Sequence, residues 1–452
     1  MMTQHIQACA HPLTFVRVQR GWSYQKLARV VAKRARDLGE GNMAAERQKV
    51  WRWEHRGVVP DRVSQLALAT ELGVPIERLE SHPWPSWLPT GEDVRIDYPW
   101  TQAGSLTSMI NVVQDAVNDR RGFLAINGAS VAALADQWLG LGPACLAGAL
   151  DGGLVDDQIV HRMAHNIPGL RVMDDRLGGG SVRRLVDAEL GVVTELLARG
   201  RFSERIGREL HIVAAELARL AGWVSFDAGF QTGAQRYWAT ALHAAHIGGD
   251  RLLGANVLKN MSLQCIDFSQ PVEALGLAEA AVRTAGGTTG RVGAMLHMRQ
   301  ARAHAALVDE ASCQRELGIA EAAFDQATTQ EPAWACYFDE AEFQAQIGCC
   351  YIDLGNLLSA DGWLSQAQAA HPAEKPRDRA TYLLRRAGVQ IDLGNLDTGC
   401  ALAAQAVPLL AVTRSRRNAR RADEIRRRLR RHPSVSAARD LDQQLAETTA
   451  AR

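Results

Sequence analysis

The segment Tyr351-Ile352-Asp353-Leu354-Gly355-Asn356-Leu357 recurs 39 positions later as Gln390-Ile391-Asp392-Leu393-Gly394-Asn395-Leu396. Self-similarity at a fixed period marks stacked supersecondary units, none of which can bury its apolar face alone. Aligned on that turn, Asp227-Ala228-Gly229-Phe230, Asp267-Phe268-Ser269 and Val308-Asp309 fall in equivalent places. Each lies about 40 residues from the last, apart from one insertion, which predicts five helical hairpins.

Each unit carries small residues and an aromatic before the turn and an Ala-rich second helix after it, as in Ala234-Gln235-Arg236-Tyr237-Trp238-Ala239 and Ala274-Leu275-Gly276-Leu277-Ala278. This resembles tetratricopeptide repeats, with a slightly longer period. The resemblance implies paired helices in close approach, a continuous core, and a concave face lined by first helices that takes up peptides or protein segments. On one first helix Asn256, Asn260 and Gln264 fall at i, i+4 and i+8, a polar stripe amid Ala255, Leu258 and Leu263. Glu340 and Gln344, with Tyr337 nearby, form a second stripe facing the same groove. In the peptide-pheromone receptors that such arrays resemble, concave asparagines hold the backbone of an extended peptide, so these six residues are the candidate effector contacts. A bland reading stays open: stripes that are simply exposed to solvent.

At the other end of the chain, Leu13-Thr14-Phe15-Val16-Arg17-Val18-Gln19-Arg20 has helical apolar spacing and stops at Gly21. Ser23 is placed to cap a second helix beginning Tyr24-Gln25-Lys26-Leu27-Ala28-Arg29-Val30-Val31. After a loop with Gly39, Gly41 and Asn42 comes Arg47-Gln48-Lys49-Val50-Trp51-Arg52-Trp53-Glu54-His55-Arg56-Gly57, with Val50 and Trp53 on the buried face and Gln48 and Arg52 opposite. Arg47, Lys49 and Trp51 flank them, an edge of long donors that suits a major groove. Segments around Arg62–Leu72 and Ile76–Leu79 complete five helices, with Val63, Leu66, Leu68 and Leu72 closing the core.

R-x-x-x-G-W-S-x-x-x-L-A, then V-W-R-W-E-x-x-G, then L-A-L-A-x-E-L-G-V resembles the Cro/CI (XRE-type) helix-turn-helix over about Leu13 to Leu79. The resemblance implies an internal Arg17–Glu54 pair, phosphate contacts from Ser23 and Tyr24 with Gln25 beside them, and base contacts from Arg47, Gln48 and Arg52, with Lys49 and Arg56 alongside. The loop between the second and third helices is longer than the family's few-residue turn. As a whole the chain resembles the actinobacterial helix-turn-helix regulators that carry tetratricopeptide tails.

Charge supports the same division. Lys and Arg number 51 against 50 Asp and Glu, so no global field attracts nucleic acid. Leu13–Glu80 nevertheless holds 13 basic residues against 8 acidic, and Arg414–Arg431 holds ten arginines opposed by Asp423 and Glu424. The latter has Ile425 and Leu429 at i, i+4 and reads as a capping helix with a basic outer face; DNA contact is the alternative. Between the ends, Pro83-Trp84-Pro85-Ser86-Trp87-Leu88-Pro89 excludes a helix and marks a boundary, its tryptophans anchoring the connector by burial.

Other motifs carry less. Asp119-Arg120-Arg121-Gly122-Phe123-Leu124 mimics a twin-arginine signal but lies far inside the chain. Gly178-Gly179-Gly180-Ser181 lacks a following G-K-[ST] and reads as a flexible turn capped by Ser181. His161 and His165 lie at i, i+4 without a third ligand. The eight cysteines form no C-x-x-C pair; adjacent Cys349 and Cys350 read as helix filler rather than a redox pair, and reduced thiols in a cytoplasmic protein are expected. No signal peptide or membrane-length apolar run occurs. No catalytic motif assembles, so an enzyme is not expected, nor a cofactor or metal.

The expected architecture is all-α: a five-helix Cro/CI-like helix-turn-helix domain (11–81), a Pro/Trp linker (82–104), a helical connecting region (105–200), an α-solenoid of tetratricopeptide-like hairpins with its Arg-rich cap (201–432), and a tail (433–452). The expected function is a homodimeric transcriptional regulator on double-stranded DNA, controlled by a peptide, small-molecule or protein effector and making no use of a membrane. The alternative is a protein-interaction scaffold whose helix-turn-helix no longer binds specific DNA.

Overall fold

A computed structural model describes residues 12–19, 22–39, 43–72, 74, 76–81, 83–85, 87–88, 98–118, 155, 157–371 and 375–450. Among them the fold is all-α, without strands. The chain forms two compact units, one holding the described residues up to 88 and the other those from 98 onward. The expected twin-arginine mimic and the helices over 119–150 lie outside the described residues, as do Gly21 and residues 40–42 of the predicted Gly-rich loop.

The N-terminal unit has α1 (Pro12–Gln19), α2 (Tyr24–Asp37), α3 (Arg47–His55), α4 (Arg62–Leu72) and α5 (Ile76–Ser81). Ser23 begins α2 by accepting the Lys26 N–H at 3.1 Å, satisfying one of the donors a helix start leaves open. Leu27, Ala28, Val31, Ala32 and Ala35 form the buried stripe of α2, against Val50 and Trp53 of α3 and Ala67 and Leu68 of α4. Arg17 grips Glu54 through Nε at 2.6 Å and Nη2 at 2.9 Å, and the Thr14 hydroxyl donates to the same carboxylate at 2.7 Å. Glu54 is buried, so this two-pronged clamp fixes α1 on α3. The tryptophans of the Pro-rich stretch close the unit: Trp87 is fully buried in its core, donates Nε1–H to Gln65 Oε1 at 2.9 Å, and meets Trp84 edge-on.

The second unit contains α6 (Gln102–Asn118), α7 (Asp157–Leu177) and α8 (Gly179–Arg199), then five consecutive antiparallel pairs: α9/α10 (Glu204–Asp227, Gln231–Gly248), α11/α12 (Arg251–Asp267, Pro271–Ala285), α13/α14 (Gly290–Ala306, Glu310–Phe324), α15/α16 (Glu340–Asp353, Leu357–Ala370) and α17/α18 (Pro376–Asp392, Leu396–Val412). The five turns are one structure. Gly229, Ser269, Val308, Gly355 and Gly394 all adopt left-handed φ, between +56° and +90°. After each, the next N–H reaches back five residues, as Asn356 N–H does to Tyr351 O and Asn395 N–H to Gln390 O, both at 2.9 Å. That left-handed residue with its long back-bond satisfies the carbonyls a helix end leaves open. Glycine suits it for want of a Cβ.

Three expectations need correction. Gly178–Ser181 is no flexible turn: α8 starts inside it, and a Cβ on Gly179 would stand 2.2 Å from Val224 O, so glycine there lets α8 touch the backbone of α9. Ser181 makes no cap; the capping position is Gly178, at φ +79°. Residues beyond 433 are no tail either, because α20 (Ser436–Ala450) buries Leu441 and Leu445 against α18 and against α19 (Arg416–Leu429). Nor is the Arg-rich α19 basic only outward, since Arg417 reaches inward to Asp267 Oδ2 at 3.3 Å.

These contacts close the array on itself. Arg377 of α17 meets Asp174 of α7 and, at 2.7 Å, Asp175. Ser415 donates to Asp227 of α9 at 2.7 Å. First and last pairs thus bracket a common interior.

Candidate nucleic-acid interface and a basic cavity in the array

In α3 the heptad geometry sends Val50, Trp53 and Glu54 inward and leaves Arg47, Gln48, Trp51 and Arg52 exposed. Those four line one depression together with Tyr24 of α2. Tyr24 is held by the Arg17 guanidinium 4.0 Å above its ring. Trp51 stacks on His55 with ring centroids 5.1 Å apart, and Arg56 lies 5.7 Å from the Trp51 ring, exposed just past the helix end. Ser23 is exposed beside Tyr24. Its oxygen accepts in the cap, leaving the hydroxyl proton for an outside acceptor.

Two predicted contact residues point elsewhere. Lys49 is turned to α4, donating to Asp61 at 3.0 Å and Ser64 at 3.2 Å. Partial burial opposes ionisation of Asp61, but the Ser64 N–H and Lys49 outweigh it and hold the carboxyl below its usual range. Gln25 spends its amide on the Ala45 carbonyl at 2.8 Å, pinning the approach to α3. Lys49 sits one residue off the Gln48–Arg52 face, which turns its stem by about 100°.

The second site is a cavity of about 370 Å³ in the array, within the size range of small-molecule pockets. First helices supply most of its wall. Nine Lys and Arg line it against four Asp and Glu. Five of those cations have carboxylate partners: Arg171 with Glu216, Arg302 with Asp353 at 3.2 Å, Lys375 with Asp339 at 2.9 Å, Arg417 with Asp267 at 3.3 Å, and Arg377 with Asp174, Asp175 and Asp378. The remaining four, Arg219, Lys259, Arg299 and Arg385, have no carboxylate within ion-pair distance among the described residues.

Burial makes three of these notable. Arg219 is 7% exposed, Arg299 6% and Lys259 3%. Among the described residues Arg219 Nε and both Nε and Nη1 of Arg299 have no hydrogen-bond partner, a costly state for buried donors. Burial, then the like charge of Arg171, pushes Arg219 down to about 10; burial, then Arg302, does the same to Arg299. Burial followed by Arg299 and Arg219 holds the Lys259 ammonium well below the ordinary lysine range. Lys259 donates instead to the Tyr337 hydroxyl. Burial and then Asp378 raise the Glu342 carboxyl, which accepts from the Tyr382 hydroxyl and is an acidic group whose charge favours protonation of Lys259 and Arg299.

The predicted effector residues divide. Asn260 and Tyr337 line this cavity. Asn256 is fully buried, and among the described residues neither of its amide atoms is partnered, nor is Asn260 Nδ2. The stripe is therefore not a solvated face. Gln264 is structural, its amide donating to the Gln231 carbonyl at 3.1 Å and side-chain oxygen at 2.9 Å. Glu340 and Gln344 bond to one another outside the cavity; the side of α15 that lines it is Glu342, Ala345, Gln346 and Cys349. Cys349 and Cys350 are free and buried, while His161 and His165 are exposed on α7.

The cations missed in sequence were present as a period. Counting back nine or ten positions from each left-handed turn residue gives Arg219, Lys259 and Asn260, Arg299, Gln346 and Arg385, all lining the cavity. The one insertion in the repeat has a role as well, since it supplies Trp334, Cys336 and Tyr337 to the same wall.

No protein-family profile and no curated protein sequence matches this chain. Among the described residues no three His, Cys, Asp or Glu side chains gather as a metal site, and no helix is long and apolar enough to cross a membrane.

Proposed function

We propose that this protein is a DNA-binding transcriptional regulator of Cro/CI helix-turn-helix type, whose tetratricopeptide-like array takes up an effector that controls DNA binding. The observation that carries this reading is the face of α3: Arg47, Gln48 and Arg52 are exposed side by side with Tyr24, over a helix whose opposite face is locked in the core. Long donors on a rigid helix match the acceptor pattern of purines in a major groove, where arginine pairs with guanine and glutamine with adenine. Ser23 and Arg56, at the borders of that face, suit phosphates, and phosphate contacts would make the affinity fall steeply with salt. Lys49 and Gln25 take no part, being committed within the unit. By analogy with Cro/CI-type domains, two copies bind paired half-sites.

The test is selection of genomic DNA fragments by the full chain beside an Arg47→Ala, Arg52→Ala double variant, at one stated salt concentration near physiological. Enrichment of a paired motif by the wild type and its loss in the variant is the expected result. Enrichment of no motif by either protein removes DNA recognition and leaves the scaffold reading.

A further inference from the structure

The regulator reading leaves its effector's chemistry open, and the cavity of the array narrows it. Arg219, Lys259 and Arg299 occur at corresponding places on the first helices of three successive pairs, so the repeat itself stacks their charges along one wall. All three are buried, none has a carboxylate partner among the described residues, and three guanidinium nitrogens make no hydrogen bond. Buried cations without a carboxylate partner are disfavoured unless something anionic completes them. Five other cations of the same cavity are already paired with carboxylates of the protein, which marks these three, with the half-buried Arg385, as the exception. Asn260 adds an unpartnered amide donor to the same wall, and Tyr337, from the insertion, adds an aromatic surface.

We propose that this cavity binds a small organic phosphate, with Arg219, Lys259 and Arg299 holding its phosphoryl oxygens and the aromatic wall holding its organic part. Guanidinium forks pair two-pronged with phosphate oxygens, and a phosphoryl group concentrates on one compact centre the negative charge that three converging cations require. An extended peptide presents mostly neutral backbone and leaves those cations unpaired. That this ligand is the effector rests on the regulator reading; that it binds does not.

The test is calorimetric titration of the full chain with pyrophosphate, ATP and, as a carboxylate polyanion, citrate, repeated on Arg299→Gln and on Lys259→Met, each first checked for helical circular dichroism. The expected result is binding of pyrophosphate or ATP by the wild type and at least a tenfold loss in both variants. Lack of phosphate binding by the wild type, preference for citrate, or affinity unchanged in both variants overturns the proposal. DNA selection by wild type is read separately: phosphate binding without a DNA motif sinks the regulator reading alone, and a DNA motif without phosphate binding sinks this inference alone.

Discussion

At Val308 the backbone takes φ +61°, a region that crowds any Cβ and disfavours a β-branched side chain most of all. The residue tolerates it because it occupies the turn position filled by glycine at 355 and 394. Its side chain is 71% exposed and gives up little burial if removed. The left-handed conformation costs an ordinary residue about 1–2 kcal/mol, while glycine brings an unfolded-state entropy cost of about 0.5–1 kcal/mol. Val308→Gly is therefore expected to stabilise the array by about 0.5–1 kcal/mol, read as a higher thermal midpoint, and Gly355→Val to lower it. A lower midpoint for Val308→Gly would mean that its exposed side chain contributes more than the strain it causes.

Between elements, the close approach of α8 to α9 depends on Gly179. A Cβ there overlaps the Val224 carbonyl, a backbone atom that cannot swing aside, and the neighbouring Gly180 N–H bonds Arg414 O at 3.3 Å. Gly179→Ala is expected to cost about 1–3 kcal/mol, the usual penalty for overfilling a packed contact. Gly276→Ala is the matched control, because that glycine lies inside α12 with no atom within 4 Å of a built Cβ. It should stabilise by about 0.5–1 kcal/mol. Thermal melts of the two variants distinguish crossing contact from helix propensity; a loss in both would refute the assignment. Gly179 also illustrates what a sequence conceals. The turn period, the Ser23 cap and the buried Val50–Trp53 edge were legible because each depends on residues close in the chain. The glycine run read as a loop, since its need for small size is set by Val224 and Arg414, far away in sequence. Likewise Glu340 and Gln344 share the i, i+4 spacing of Glu342 and Gln346, and helical spacing fixes which residues share a face but not which face looks inward.

Closure of the array lies at the largest scale, and it too was invisible from local pattern. The helix before the first pair and the first helix of the last pair meet through Arg377, whose guanidinium touches Asp174, Asp175 and Asp378, joining α7 to α17 across 203 residues of chain. Burial alone would discourage its charge, but those carboxylates, Asp174 foremost, and then Asp227 hold Arg377 firmly protonated. Replacement by methionine keeps much of the bulk and removes the charge, leaving three carboxylates to repel one another in a poorly solvated place. Breaking a buried ionic cluster in this way costs about 3–5 kcal/mol. The loss should be spent on opening the seam, so Arg377→Met is expected to raise amide hydrogen exchange in α7 and α17 by at least tenfold, each tenfold being about 1.4 kcal/mol. Exchange in α1–α5 should not change, because those helices form a separate compact unit. Lowering the pH protonates the stranded carboxylates and should narrow the difference between variant and wild type, since it removes repulsion that Arg377 offsets in the wild type and nothing offsets in the variant. Uniformly faster exchange throughout both units would instead mean that Arg377 supports global stability, and that the cavity it borders is not closed by this one cluster.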